Sequence, residues 1–383
     1  MQNLKNWRRR YFFFTNRCEH APFHVLPAAV LMAAGLLIVS ACELTGPGEP
    51  PPIDDGIWSD GAIVDEHVTS LEIHDGVLYA GTRSDLFRAS LSDVDNWEAL
   101  DLADEIDGRG IRGFVMLNSS TILAGVGSFG EYRHNTIPIY RTTDAGQSWH
   151  PYQNGLGEEE DFNAIRDLDM NPNTDVIFAQ AAGAIARSDN GGQSWERVYG
   201  SYAGAPWPGF LQVDPQNPEI VWRGSASPIF QPWLAKTEDG GENWDTFQPL
   251  ENTEGLASDI LIHPEDSDHI MVAIRGGASW DVPIRASTDG GDTWETRYSN
   301  GPNIQALAGS PSYPNIGYAA GSKAERTLFF ARTTDFGNSW EIVEHEEGPQ
   351  DIQVKEMIAT EHEGEQILIF GTNKGVYSYT FSE

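Results

Sequence analysis

Only two cysteines, Cys18 and Cys42, occur in the 383 residues. If Cys42 is acylated as the first residue of an exported protein, Cys18 leaves with the segment before it and no disulfide remains, so stability has to come from buried surface. Basic residues are scarce too: 24 Lys and Arg stand against 57 Asp and Glu, for a formal charge of −33 at pH 7. Nucleic acid and anionic lipid both demand cationic patches, and so acidic a chain argues against either partner. The ten histidines are few and scattered. No His, Cys or carboxylate spacing matches a metal site, no glycine-rich phosphate loop is present, and no Ser/His/Asp order stands out. Neither a cofactor nor a metal is expected. Past residue 42, no stretch keeps the apolar period of a helix of useful length.

What the chain does have begins with an export segment. Lys5, Arg8, Arg9, Arg10 and Arg17 precede the apolar run "VLPAAVLMAAGLLIVSAC", which closes on Ser40-Ala41-Cys42. A basic start, an apolar run and small residues at its end describe a secretory signal. The small pair before Cys42 resembles a bacterial lipobox, which implies that residues 1–41 are removed and Cys42 carries the lipid. "RRRYFF" also has a twin-arginine look. Residues 42–56, rich in Pro and Gly, read as a tether. The expected product is an exported protein held by lipid alone at a bacterial outer membrane or cell surface, with a monomer as the default state. Loss of residues 1–41 leaves 19 basic and 56 acidic residues, a charge of −37.

Residues 57–383 carry a repeat. "TTDAGQSW" ends at Trp149, "SDNGGQSW" at Trp195, "TEDGGENW" at Trp244, "STDGGDTW" at Trp294 and "TTDFGNSW" at Trp340. The spacing is 46 to 50 residues, in the range of propellers and solenoids. A degenerate copy, "SLSDVDNW", ends at Trp97. Around each copy run alternating apolar segments broken by turns such as "DPQNPE" and "HPEDSD", giving four short strands per unit.

The eight-residue motif resembles the Asp box, or BNR repeat, Ser/Thr-x-Asp-x-Gly-x-Ser/Thr-Trp. The resemblance implies a β-propeller of four-stranded antiparallel blades. Physically, the carboxylate accepts backbone N–H bonds of its own turn, the Gly supplies positive φ, and the Trp buries its ring against the neighbouring sheet. Asp144, Asp239, Asp289 and Asp335 are therefore read as structural, rather than as calcium ligands or catalysts. Asn190 accepts the same backbone bonds in the second copy. Arg141, Arg187, Lys236 and Arg332, each one position before a box, read as blade consensus.

Six Trp-terminated units are followed by three more strands, "DIQVKEMIAT", "GEQILIFGT" and "KGVYSYTF". The missing fourth is expected from "GIWSDGAIV", whose Trp58 has no box before it. Seven blades closed by an N-terminal strand leave no bare sheet edge at the ends of the array; six blades with a loose strand is the alternative. The loops between second and third strands and between blades share one face, with the boxes on the other. Long loops on that face nominate Tyr132, Arg133, His134, Trp207, Phe230, Trp233, Trp280 and Asp281 as ligand-binding residues. Phe129, Tyr202 and the acidic run 158–161 accompany them. Aromatic rings among carboxylates suit a sugar or a peptide.

Propellers with this repeat include sialidases and other glycosidases, sortilin-type receptor domains and a photosystem assembly factor, so the resemblance implies a fold and not one activity. A sialidase-like site needs three converging arginines, a Tyr paired with a Glu, and an acid. Arg83, Arg112, Arg223 and Arg275 are candidates to point inward, but no Tyr/Glu pairing is visible in the sequence. The expectation is a non-catalytic propeller binding a protein or glycan through its loop face. A surface glycoside hydrolase is the alternative.

Overall fold

The structure is a computed structural model. It describes residues 56–381 apart from 103–105, 107, 128–137, 157–161, 163, 182, 201–206, 227–231, 248–254, 276–283, 300–302, 323–326 and 344–347. The signal segment, Cys42 and most of the tether thus fall outside the described residues.

Seven four-stranded antiparallel sheets make up the molecule. The first strands of blades 1 to 7 are Val68–His74, Gly110–Asn118, Asp167–Met170, Trp207–Val213, Leu256–His263, Asn303–Gly309 and Val354–His362. Each adjoins the first strand of the next blade, and that of blade 7 adjoins that of blade 1. This closed circle is a seven-bladed β-propeller, and the six-blade alternative is excluded. Within a blade, burial falls from axis to rim. In blade 3 the second strand, Ile177–Gln180, is wholly buried, whereas most of the fourth, Glu196–Gly200, is exposed or half-buried. Sheets flanked on both faces bury both sides of their inner strands, which is why those strands read as near-continuous apolar runs.

Closure comes from the N-terminal strand Gly56–Trp58. It pairs antiparallel with Gly375–Phe381, in the register Gly56↔Phe381, Ile57↔Thr380 and Trp58↔Tyr379. Beyond it the chain stays on blade 7, where Ala62 and Val376 exchange N–H bonds at 2.8 and 2.9 Å. Gly56 is a steric requirement, since a Cβ there would stand 2.1 Å from the Tyr379 ring. Trp58 then lies among Tyr379, Phe370 and Phe330, with ring centroids 5.2, 5.4 and 6.1 Å away.

The core divides into seven clusters, and each receives one of the recurring tryptophans, Trp58, Trp97, Trp149, Trp195, Trp244, Trp294 or Trp340. Each box ring leans on the preceding blade. The Trp149 indole N–H donates to Leu100 O at 3.1 Å, and that of Trp244 to Val198 O at 3.2 Å. Trp294 meets Trp222 edge-on at 6.4 Å, and Trp340 meets Tyr298 at 6.3 Å. Trp149 and Trp195 are buried; Trp97, Trp244, Trp294 and Trp340 are half-buried. An aromatic of this size contributes roughly 3 kcal/mol through area alone.

Around the axis the fastening is polar. First strands of neighbouring blades share no backbone ladder, so their inward N–H groups need other acceptors. Buried carboxylates supply them across the seam. Asp167 accepts Leu211 N at 3.1 Å, Asp169 accepts Val213 N at 2.7 Å, and Asp259 accepts Leu307 N at 2.7 Å. Glu72 accepts Met116 N at 3.3 Å.

Candidate functional site

The boxes are closed hydrogen-bonded turns. Asp289 Oδ1 accepts the Ser287 hydroxyl at 2.7 Å and Thr293 N at 2.8 Å, while Oδ2 accepts the Thr293 hydroxyl at 2.6 Å. Ser287 Oγ in turn accepts Gly291 N at 2.9 Å. Gly291 needs its φ of +102°, and a Cβ there would lie 2.7 Å from the Trp222 ring of blade 4. The same bonds recur at Asp144, Asp239 and Asp335. Asn190 reproduces them with Oδ1 accepting Ser194 N and Nδ2 donating to the Ser194 hydroxyl. The Ser148 hydroxyl, then the Thr142 hydroxyl and Ser148 N–H, draw the Asp144 carboxyl down to about 2. In Asp239 the Asn243 backbone and side-chain N–H groups do the same, to about 2. Both oxygens of these carboxylates are engaged within their own turn, as a purely structural role requires.

The cations preceding the boxes, and Arg88 at the equivalent strand of blade 1, also make structural contacts. Arg88 donates to Ala145 O at 3.3 Å, Arg187 to Gly240 O at 2.9 Å and Lys236 to Gly290 O at 3.1 Å. In each case the acceptor is the box turn of the next blade. Arg141 instead stacks on Tyr152, at 4.6 Å from its ring centroid, and Arg332 pairs with Glu341 at 3.5 Å.

On the opposite, loop face the first strands share an irregularity at the end nearest their blade-to-blade loops. The register slips past Thr69 in blade 1, Arg112 in blade 2, Ser258 in blade 5, Gln305 in blade 6 and Lys355 in blade 7. In blade 3, Arg166 N donates to Gln180 O at 2.6 Å although Asp167 is the paired residue opposite Gln180, so Arg166 holds the same bulged place. A bulge re-aims one side chain out of the blade's alternation. Three of these six places carry a cation. His67 directly precedes the first strand of blade 1, Arg83 follows its second strand, and Arg275 ends the second strand of blade 5. All belong to the same end of their blades. Arg112, Arg166, Arg275, Lys355 and His67 are half-buried and Arg83 is exposed.

These groups act on one another electrostatically. Burial, followed by Arg166 and Arg83, brings the Arg112 guanidinium down to about 9. Burial, followed by Arg275 and Arg83, brings the Lys355 ammonium down to about 8. His67 falls to about 4 through burial and then Arg83, Lys355 and Arg112, so its imidazole is neutral at pH 7. A chain of strongly negative charge thus gathers cations from blades 1, 2, 3, 5 and 7 at one end of its inner strands.

Arg112 and Arg275, two of the four arginines nominated from sequence, belong to this collar, and Arg83 lies on its rim. Arg223 does not. It is fully buried between the Tyr199 and Trp233 rings, at 5.4 and 5.8 Å, where burial lowers it to about 10. Trp233 is half-buried in the same seam between blades 3 and 4, 6.3 Å from Tyr199. Trp207 opens the first strand of blade 4 opposite Ala226. Tyr132, Arg133, His134, Phe230, Trp280 and Asp281 lie outside the described residues, as do Phe129, Tyr202 and the run 158–161. Arg166, Lys355 and His67 were not singled out from sequence. The signal that finds them is the bulged place, visible once first strands are aligned on the turns that follow them. Of the first-strand carboxylates, Glu72, Asp167, Asp169 and Asp259 accept backbone N–H bonds and hold strands. Among the described residues, no group of three or more His, Cys, Asp or Glu is placed to hold a metal ion.

No protein-family model and no curated protein matches the chain. Solved structures do. The GH74 xyloglucanase from Xanthomonas campestris superimposes with a TM-score of 0.64 at 16% identity, over 84% of this chain and 53% of that one. YCF48 bound to D1 peptide gives 0.63 at 16%, over 87% and 99%. The extracellular domain of the BT4673 system from B. thetaiotaomicron gives 0.57 at 10%, over 85% and 39%. The chain spans about half the length of the GH74 structures it matches, including 46% of the enzyme from Niastella koreensis. Identities this low establish the fold alone, a β-propeller.

Proposed function

We propose that the protein is a lipid-anchored, extracytoplasmic propeller that binds a protein or glycan ligand through its loop face and performs no catalysis. The observation that carries this reading is the division of labour between the two faces. Every described box aspartate is committed to its own turn, and Arg88, Arg187 and Lys236 at the box face tie neighbouring blades together. The opposite end of the blades carries the half-buried Arg112, Arg166, Arg275 and Lys355, and the long segments expected there from sequence are the usual place for binding on a rigid scaffold. Four first-strand carboxylates, the natural stock for a pair of hydrolytic acids, are occupied by backbone N–H groups instead. A lipid on Cys42 and a tether over residues 42–56 would hold this face near an envelope surface.

The test is a glycan array and an envelope-peptide array probed with the soluble domain from residue 52, run beside a panel of chromogenic glycosides. The proposal expects saturable binding on an array and no turnover in the panel. Hydrolysis of any glycoside would overturn the non-catalytic reading and favour a surface glycoside hydrolase. Membrane attachment is tested separately, because Cys42→Ser should abolish fatty-acid labelling and shift the protein to the soluble fraction.

A further inference from the structure

We propose that a recess at the box end of blade 1, bordered by Asp75, Asp93, Asn96 and Glu98 beside Tyr79, is a binding site for a primary alkylammonium group. The inference goes beyond the ligand reading of the loop face: the recess lies at the other end of the blades and stands or falls without that reading.

The recess follows from the lost box. In complete copies the seventh residue bonds the aspartate, as Ser148 does to Asp144 at 2.6 Å and Asn243 to Asp239 at 2.7 Å. Asn96 holds that place in blade 1, but Ser92 stands at the aspartate's position and its hydroxyl bonds that of Ser90 at 2.7 Å. The last two strands join directly through Ser90 and Asp93, and the register slips before Arg88 meets Glu98. Such an irregularity re-aims side chains. Asp93 and Asn96 both line a recess of about 440 Å³, within the ~300–1,000 Å³ range of small-ligand sites.

The pairing register supplies the rest of the lining. Tyr79 stands opposite Arg88, and Arg88 opposite Glu98, in one row across the sheet. His74, Val77, Ser90 and Asp93 make the next row on the same face. That face looks to blade 2, whose Phe114 ring lies 6.4 Å from Tyr79. Ser119, in the turn after the first strand of blade 2, lines the recess from the other side.

The chemistry of the lining selects the ligand. Its one guanidinium is spent: Arg88 donates from Nε and Nη2 to Glu98 Oε2 at 2.9 and 2.8 Å and from Nη1 to Ala145 O at 3.3 Å. Burial raises the Tyr79 phenol above its ordinary value, with Arg88 opposing and Glu72 and Asp75 reinforcing the shift, so it is neutral at pH 7. Asp75, Asp93 and Glu98 are exposed carboxylates, and Asn96 beside them is exposed too. Three carboxylates against one paired guanidinium repel an anion. Their excess of acceptors matches an ammonium, which carries three N–H donors and no acceptor. Val77 and Ala89 offer apolar surface to its aliphatic stem. Asp75 follows the first strand and Asp93 opens the fourth, which separates them by roughly 14 Å at ~4.8 Å per strand. A slender chain with an ammonium at one or both ends suits that span, and the net charge of −33 draws cations to the surface.

The experiment uses the full-length chain in a nonionic detergent, with cadaverine as the probe, 1,5-pentanediol as its uncharged counterpart and calorimetry as the readout. Cadaverine should bind saturably and more weakly as salt rises, and the diol should not bind. Asp75→Asn with Asp93→Asn should lose roughly tenfold or more in affinity. Asp245→Asn with Asp292→Asn removes the same charge from exposed places on blades 4 and 5 and should leave affinity unchanged. The amide of Nα-acetyl-lysine then separates the two sources of the group. Affinity equal to that of cadaverine assigns the site to a lysine side chain of a partner, weaker affinity to a free polyamine, and either supports the ammonium assignment. A check on the unaltered protein needs no variant: cadaverine should slow amide exchange in Asp93–Ala99 several-fold relative to Glu295–Tyr298. Unchanged exchange in both strands overturns the site. Equal binding of the diol overturns the ammonium assignment. Equal losses in the two double variants reduce the binding to net charge and overturn the recess.

Discussion

Substituting Trp58 by Ala tests the ring closure at its joint. The indole sits on Tyr379, Phe370 and Phe330, and its strand contributes three residue pairs to blade 7. A half-buried indole removes on the order of 100–150 Å² from water, or about 3 kcal/mol at ~25 cal/mol per Å². The cavity left between Phe330 and Phe370 adds to that. Ile57 provides the control from the same strand: it is 75% exposed, and Ile57→Ser should change stability by less than about 0.5 kcal/mol. The assay is equilibrium urea unfolding combined with hydrogen exchange of the Gly375–Phe381 strand. If opening of that pair is governed by the latch, 3 kcal/mol corresponds to about a 100-fold faster exchange there. The loss should be local to blades 6 and 7, because the other seams keep their own tryptophans. Equal behaviour of the two variants, or exchange raised uniformly around the ring, would refute the reasoning.

The other expectations concern the boxes and one seam. Asp289→Asn should be tolerated, because Asn190 already makes the same turn, whereas Asp289→Ala loses the Ser287, Thr293 N–H and Thr293 hydroxyl bonds together; thermal melts of the two variants distinguish them. The box carboxyls have native values depressed below the ordinary range, to about 2 in Asp144 and Asp239. Their stabilisation is complete above the unfolded value near 4 and is lost as pH falls through the native value. Box amides should therefore lose exchange protection between about pH 4 and pH 2, while Ser194 N, held by Asn190, keeps its own. Asp259→Ala should cost about 3 kcal/mol or more in urea unfolding, because Ile260 N and Leu307 N lose their buried acceptor.

The architecture was legible because its determinants repeat. A box needs the same residue types in every blade, so Asp144, Asp239, Asp289 and Asp335 announce themselves together, and each Trp marks where a fourth strand begins. Even the closure was readable, since the strands after Trp340 fall one short and Trp58 stands without a box. Blade 1 shows the limit of the pattern: Ser92 and Val94 replace the Asp and Gly, and its last two strands join directly, with Ser90 paired to Asp93.

The collar was harder to see, because its place in the repeat is fixed by backbone and not by residue type. Thr69, Arg112, Arg166, Ser258, Gln305 and Lys355 share one bulge, yet no consensus of letters connects them. A strict alternation also misassigns a bulged residue to the wrong face. Residue type alone nominates Arg83, Arg112, Arg223 and Arg275 together, although the first, second and fourth stand at one end of the inner strands and Arg223 is buried in the seam between blades 3 and 4. Trp233 stands 6.3 Å from Tyr199 at the same seam, a place where an aromatic serves a blade contact as readily as a ligand.

The most direct test of the separation between the two faces sets one substitution against another in the same two assays. Asp289→Ala and Arg166→Gln should each be measured for urea stability and for affinity toward a ligand found on the arrays. The account predicts that Asp289→Ala lowers stability while its folded fraction binds normally, and that Arg166→Gln folds normally but binds at least several-fold more weakly. Normal binding by Arg166→Gln, or loss of binding by fully folded Asp289→Ala, would contradict it.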